Sequence, residues 1–335
     1  MSNQALETPS PSPLEKAHVS LENEIQSVNS LIEERLQSPV PLIPNLSQHI
    51  INAGGKRLRP ILTLLCAKLC GYEGTRHINL ATCIEFIHTA TLLHDDVVDK
   101  SLMRRGIKTA NALWGNKASV LVGDFLFSRA FECMIQDGSQ KVLEILSKTA
   151  STIAEGEVLQ LSTAKNIHTN QETYLKVISS KTAALFSAAC QIGAIIADRS
   201  EKEVNALAAY GEFLGIAFQL TDDVLDYTTD LKVLGKSTGD DFQEGKVTLP
   251  VILAYETASS EEKTFLENQF KNPPSHKEHF STTMHCLEKH RAFAITMSLA
   301  ESYAKKAIQS LAIFTKQREK ATLEDMAKFS SQRHY

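Results

Sequence analysis

Apolar residues return every three or four positions along most of this chain, and that regularity restricts the fold more than any other feature of the sequence. Such spacing keeps one face of a helix apolar. Leu14, His18, Leu21, Ile25, Val28 and Leu31 or Ile32 fall on one stripe. Further stripes run through 57–70, 78–93, 117–136, 139–161, 171–197, 201–228, 248–257, 260–270, 280–287 and 292–312. Alternating patterns and Asn-Gly or Asp-Gly hairpin signals are nearly absent, so the sequence predicts an all-α protein of ten or more helices. The stretch from Lys181 to Ala197 is apolar most of the way round and belongs at the centre of a bundle, ringed by other helices. Breaks fall at Gly54-Gly55, 71–74, 104–106, 166–170, 234–245 and 272–275. No composition shift or long linker divides the chain. The expected organisation is one large helical domain over 14–335, behind a Pro- and Ser-rich leader over 1–13 read as disordered.

Composition removes several function classes. A net charge of −4 lacks the basic excess of a nucleic-acid binder. The longest apolar stretches are near ten residues, such as 188–197, where a spanning helix needs about 20, so no transmembrane segment is expected. The N-terminus has neither the basic nor the apolar region of a signal peptide. The six cysteines include no C-x-x-C pair and read as buried, reduced thiols of a cytoplasmic protein.

One internal echo carries chemistry. Leu93-His-Asp95-Asp96-Val-Val-Asp99 resembles Leu220-Thr-Asp222-Asp223-Val-Leu-Asp226, and each ends a long apolar helical stretch. Positions i and i+4 share a helix face, so Asp95 aligns with Asp99 and Asp222 with Asp226, flanked by Asp96 and Asp223. Like charges so placed disfavour a helix and need an external cation. Carboxylates with water-filled open positions suit Mg²⁺, above all where a substrate phosphate completes the shell. One such cluster would read as a solvated helix end; two after apolar helices point to a site.

Cations are interleaved with these acids. Gly54-Gly55-Lys56-Arg57-Leu58-Arg59-Pro60 places three at a Gly-Gly break that opens a helix, with Lys56 and Arg59 able to reach one anion. Arg104 and Arg105 follow the first cluster, and Lys236 and Lys246 follow the second in the loop GKSTGDDFQEGK. That loop lacks the spacing of a P-loop, and no strand precedes it. Each cation alone would be an ordinary surface charge; together with the carboxylates they make the environment a metal–diphosphate complex requires.

In this order and spacing, GGKRLRP, DDVVDKSLMRRG, Lys181-Thr182, Gln219 with DDVLD, and GKSTGDD with EGK resemble the trans-type polyprenyl diphosphate synthases over roughly 15–330. The stretches GDFLFSRAF, AEGEVLQL and LGIAFQLTDDVLDY are most similar to the bacterial octaprenyl branch, which makes the ubiquinone side chain. The resemblance implies an isoprenoid-synthase helical bundle with a central cavity, and a homodimer. It implies that Asp95, Asp99 and Asp222 bind three Mg²⁺ ions bridging an allylic diphosphate, supported by Asp96, Asp223 and Asp226. Arg104, Lys181 and Lys236 would hold that diphosphate. Lys56, Arg59, His88 and Arg105 would hold isopentenyl diphosphate, and Thr182 and Gln219 would face the allylic carbon. His88 lies two helical turns before Asp95, and Gln219 one turn before Asp222, which agrees with shared faces.

Ala90 and Thr91, one turn before Asp95, would line the first steps of a product tunnel. In this family small residues there permit long products, so the expectation is a long chain nearest C40, with floor residues among Phe131, Met134, Leu143 and Leu146. Competing readings are a shorter-chain synthase, a terpene cyclase or squalene/phytoene-type synthase, and a non-catalytic subunit of a heteromeric synthase. GGKxxRP argues against cyclases, and two intact aspartate motifs argue against the subunit. A lipid-soluble product is compatible with loose membrane association, although no amphipathic anchor is evident.

Overall fold

The computed structural model describes residues 11–52, 55–228, 239–271 and 277–332. Most of the expected leader lies outside these residues, but its end does not behave as a tail. Ser12 and Glu15 form a reciprocal capping box, and Pro13 is the first residue of α1 (Pro13–Ser20). The first apolar stripe is split at Leu21, where φ −121° and ψ 20° leave the helix before α2 (Glu22–Arg35). Leu14, Leu21, Val28 and Ile32 are buried all the same, so the stripe persists across the break.

After α3 (Leu42–Asn52) the chain enters α4 (Leu58–Leu69) through Arg57, a left-handed residue at φ 49°. Helix α5 (Arg76–Val98) carries the first aspartate motif on its last turn. A small hairpin follows, β1 (Met103–Arg104) with β2 (Ile107–Lys108), pairing Met103 with Lys108 and Arg104 with Ile107. Its turn is made by Arg105 and Gly106, both at positive φ. Then come α6 (Ala110–Trp114), α7 (Asn116–Asp137) and α8 (Gln140–Thr163). Gly138 at φ 73° ends α7, and the Ser139 side chain caps α8.

Helix α9 (Gln171–Ile178), capped by Asn170, runs through a π-helical turn (Ser179–Ala183) into α10 (Ala184–Ile196). The long α11 (Glu201–Thr228) spans about 42 Å and ends in the second motif. The remaining helices are α12 (Asp240–Glu244), α13 (Leu249–Thr257), α14 (Ser260–Lys271), α15 (Lys277–Lys289), α16 (Ala292–Ser310) and α17 (Gln317–Ser330).

The expected central helix is α10. It packs against α4, α5, α8 and α11, and nine of its thirteen residues are buried. Glycine makes this approach possible. A Cβ on Gly193 would lie 2.6 Å from the Ala67 backbone nitrogen of α4, and one on Gly211 would lie 2.3 Å from the Phe186 carbonyl of α10. Three helices are thus in backbone contact, a rigid base from which α5 and α11 project their acidic ends. The six cysteines are all buried and free. Among the described residues no helix is long and apolar enough to cross a membrane.

Candidate active site

The π turn between α9 and α10 joins the two aspartate motifs. Gly156 of α8 allows this, because a Cβ there would meet the Lys181 backbone nitrogen at 2.9 Å. A π turn inserts one extra residue per turn and re-aims the side chains beyond it. Its consecutive residues Lys181 and Thr182 face one motif each. Lys181 Nζ lies 3.4 Å from Asp95 Oδ2, while Thr182 Oγ1 donates to Gln219 Oε1 at 2.9 Å, one helical turn before Asp222. A second bridge runs lower down. Lys246 Nζ donates to Asp99 Oδ2 at 3.1 Å and lies 3.7 Å from Asp241, whose backbone N–H donates to Asp226 Oδ2 at 3.1 Å. Both motifs therefore stand at one end of the molecule.

The carboxylates differ in environment. Asp95 and Asp99 are part-exposed, at 15% and 23% of their side-chain surface, and open to a ligand. Asp96 is buried; Arg104 donates to its Oδ1 from Nε at 2.9 Å and Nη2 at 2.7 Å. Burial pushes the Asp96 carboxyl up against the pull of Arg104. Asp223 is also buried, yet among the described residues it meets no cation. Tyr174 donates its hydroxyl to Oδ2 and Gln219 Nε2 donates to Oδ1 at 2.7 Å. Burial, and then the charge of Asp241, push Asp223 up to about 8. Lys246 is held well above its usual value: burial opposes the charge, but Asp241, Asp99 and Glu244 outweigh it.

A cationic cradle faces this acidic end from α4 and α5. Arg59 Nη1 donates to His88 Nε2 at 3.0 Å and its guanidinium stacks 4.5 Å over the Phe186 ring. Burial lowers Arg59 to about 10, with Asp222 among the charges opposing that change. A guanidinium can only donate, so His88 Nε2 accepts and the ring is neutral, with its proton on Nδ1. Burial first, then Arg59, Arg105, Arg104 and Arg57, hold His88 well below its usual pKa. Buried Glu85 pairs with Arg57 and organises the cluster. Gly55 leaves the space that Arg105 uses, since a Cβ there would lie 3.3 Å from Arg105 Nη1. Lys56 is exposed at the edge, its carbonyl bonded to His18 Nε2 at 3.0 Å.

The structure thus gathers Asp95, Asp99, Lys181, Thr182, Gln219 and Asp222 around one end, and Arg59, His88 and Arg105 beside them. Arg104 is not aimed freely at an anion; it is anchored on Asp96. Lys236 lies outside the described residues. Ala90 is fully buried, and the Thr91 hydroxyl is turned back to the His88 carbonyl at 2.7 Å. Of the four floor candidates, Met134 and Leu146 are buried, but Phe131 and Leu143 are 45% and 37% exposed on the outer faces of α7 and α8. Those two do not line the interior of this chain, because their positions on α7 and α8 face outward.

Glu157 and Tyr174 are among the residues at the site that escaped the sequence reading. Glu157 of α8 accepts from Lys181 Nζ at 2.7 Å, and burial and the Asp95 charge push it up to about 7. Its signal lay in AEGEVLQL, beside the glycine that lets α8 touch the π turn. Tyr174 had no signal, since a tyrosine on an apolar stripe reads as core. Away from this end, Glu262, Cys286 and His290 bring their ligand atoms within 4.8 Å of one another. Lys289, the Ser259 N–H and Thr257 already bond that group, which staples α14 to α15.

Comparison with known proteins agrees with this geometry. The polyprenyl synthetase family profile matches residues 40–287. The chain is 45% identical over 300 residues to the octaprenyl diphosphate synthase of Escherichia coli, covering 90% of this chain and 93% of that one. Its fold superimposes on a decaprenyl diphosphate synthase from Rhodobacter capsulatus with a TM-score of 0.91, at 46% identity, over 96% of this chain and 99% of that one. It superimposes equally on a polyprenyl synthase from Caulobacter crescentus, solved with calcium and isoprenyl diphosphate, with a TM-score of 0.93 at 44% identity, over 96% and 98%. With two acidic helix ends, a basic cradle and these relatives in view, the chain belongs to the polyprenyl synthetase family and is a trans-prenyltransferase.

Proposed function

We propose that this enzyme adds successive isopentenyl diphosphate units to an allylic diphosphate such as farnesyl diphosphate, yielding a long all-trans chain nearest C40 for a quinone side chain. The observation that carries the reading is the π turn, whose Lys181 reaches Asp95 and whose Thr182 bonds Gln219, one helical turn before Asp222. The oxygen-only donor set of Asp95, Asp99 and Asp222 fits Mg²⁺, and the Lys181 and Lys246 contacts mark where these acids already draw cations. Three bound Mg²⁺ ions would neutralise the allylic diphosphate and the charge that develops on it as pyrophosphate leaves.

The chain's own residues do the rest. Lys181 holds the allylic diphosphate against the acidic end, Arg104 adds its charge from its anchor on Asp96, and Lys236 follows the second motif in the sequence. Arg59, Arg105 and Lys56 bind the diphosphate of isopentenyl diphosphate, and the neutral His88 ring adds its Nδ1–H as a donor. As the allylic C1–O bond breaks, the Thr182 and Gln219 oxygens face the positive charge spreading over the allyl group. The isopentenyl double bond attacks C1, the proton leaves C2 for the departed pyrophosphate, and a trans double bond remains. Water is kept out, because it would trap the cation as an alcohol.

Small Ala90 and Thr91 support a long product. Replacing Ala90 with Phe is expected to shorten it, read as earlier elution in reversed-phase chromatography; an unchanged length would reject this tunnel path. The apolar outer face of α7 and α8, with Val120, Leu121, Phe131, Ile135, Val158 and Leu161 exposed, supports a homodimer. The primary test incubates the purified protein with farnesyl diphosphate, labelled isopentenyl diphosphate and Mg²⁺. The expected product has the mass of an octaprenyl diphosphate. A cyclic hydrocarbon, or no elongation by the protein alone, would contradict the proposal.

A further inference from the structure

The second aspartate motif reaches a residue that belongs to neither motif. Tyr174 on α9 is 5% exposed and donates its hydroxyl to Asp223 Oδ2. Asp223 Oδ1 accepts from Gln219 Nε2 at 2.7 Å, and Gln219 Oε1 accepts from Thr182 Oγ1 at 2.9 Å. Four groups on three elements form one chain, in which Tyr174 and Gln219 both donate to Asp223 and Thr182 donates to Gln219. The direction matters because a glutamine amide has two ends of similar shape and opposite character. Turned the other way, Gln219 would present N–H protons where positive charge is to develop and lose the bond its Nε2 now donates to Asp223 Oδ1.

We propose that Tyr174 is a positioning residue for the transfer reaction. It pins the Asp223 carboxyl, which fixes the Gln219 amide and through it the Thr182 hydroxyl, so that oxygen lone pairs face the allylic carbon. The inference rests on the roles given above to Thr182 and Gln219 and extends them to a residue that touches no substrate. It also assigns Asp223 a different task from Asp222: anchoring the amide rather than holding a metal ion. The neighbourhood suits the task. Asn170 caps α9 through the Thr173 N–H at 2.9 Å, so the tyrosine is carried on a fixed helix start. The π turn then delivers Thr182 two turns further on.

Tyr174→Phe in the full-length protein tests this, since it removes only the hydroxyl. With farnesyl diphosphate, isopentenyl diphosphate and Mg²⁺, kcat is expected to fall roughly tenfold, the loss of about one hydrogen bond at the transition state. KM for both diphosphates stays the same, and the share of allylic substrate released as farnesol rises. In a Gln219→Leu background the same substitution costs nothing further, because Tyr174 acts through that amide. An unchanged kcat, an equal loss in the Gln219→Leu background, or a loss matched by a lower folded fraction in a thermal melt would each overturn the inference. If the unsubstituted protein failed to elongate, the roles of Thr182 and Gln219 would fall instead.

Discussion

The two aspartate motifs have nearly the same sequence and different surroundings. In DDVVD the middle residue, Asp96, is buried on the guanidinium of Arg104 and stays part of an ion pair. In DDVLD the middle residue, Asp223, is buried on a phenol and an amide, and its carboxyl is pushed up to about 8. The outer residues differ too. Asp99 is tied to Lys246 by a side-chain contact, and Asp226 to the Asp241 backbone. One motif is thus braced by charge and serves to fix the hairpin that carries Arg104 and Arg105. The other is braced by neutral hydrogen bonds and serves to orient Gln219. A repeated pattern in sequence fixes which side chains share a helix face, but the neighbouring elements decide what each does.

The sharpest way to break this comparison is at the open positions. Asp95→Ala is expected to lower turnover by about a thousandfold or more while leaving the thermal melt almost unchanged, because a part-exposed ligand contributes to the reaction rather than to the core. Normal Mg²⁺-dependent turnover would show that the first motif is a helix end and nothing else.

The middle residues separate by stability. Asp96→Asn leaves Arg104 without its counter-charge. A fully buried pair broken this way costs about 3–5 kcal/mol, and about 2–3 kcal/mol is expected here because Arg104 is 26% exposed. Asp223→Asn strands no buried cation among the described residues but costs one of the two bonds the carboxyl accepts, so a loss of about 1 kcal/mol is expected. Urea unfolding of the two variants checks the order; equal losses would erase the distinction.

Much of this was legible in the sequence, and the remainder was hidden for physical reasons. The 3.6-residue period located the long helices within a few residues, since burial of one face dictates it. The spacing of Asp95 and Asp99, and of Gln219 and Asp222, gave the shared faces. The hairpin at 103–108 was not legible, because two-residue strands have no period and depend on the turn at Arg105 and Gly106. Helices α3 and α17 were missed although each carries a short apolar stripe, Leu42, Ile43, Leu46 and Ile50 in one and Leu323, Met326 and Ala327 in the other. Tyr174 and Glu157 act through contacts between elements distant in the chain, which spacing cannot encode. Phe131 and Leu143 were placed inward because an apolar residue on a helix reads as core, and here the outer face is apolar as well.

A further expected effect sits in the basic cradle. Burial and four arginines hold His88 well below the usual 6.5, so the folded protein binds fewer protons there than the unfolded chain. Its contribution to stability is fully present above pH 6.5 and is lost as pH falls below that value toward the folded pKa. The urea midpoint should decline on acidification through this range, and less so in His88→Gln. An identical decline in both would place the titration elsewhere.

The central claim is that one divalent-ion–diphosphate complex is held jointly by the ends of α5 and α11. Calorimetric titration of Mg²⁺ in the presence of the unreactive thio analogue of farnesyl diphosphate tests it most directly, comparing the unsubstituted protein with Asp95→Ala and Asp222→Ala. Both variants should lose the tight, analogue-dependent uptake of Mg²⁺ to a similar degree. Full uptake in Asp222→Ala would mean that the second motif does not share the ions, and the account would fail.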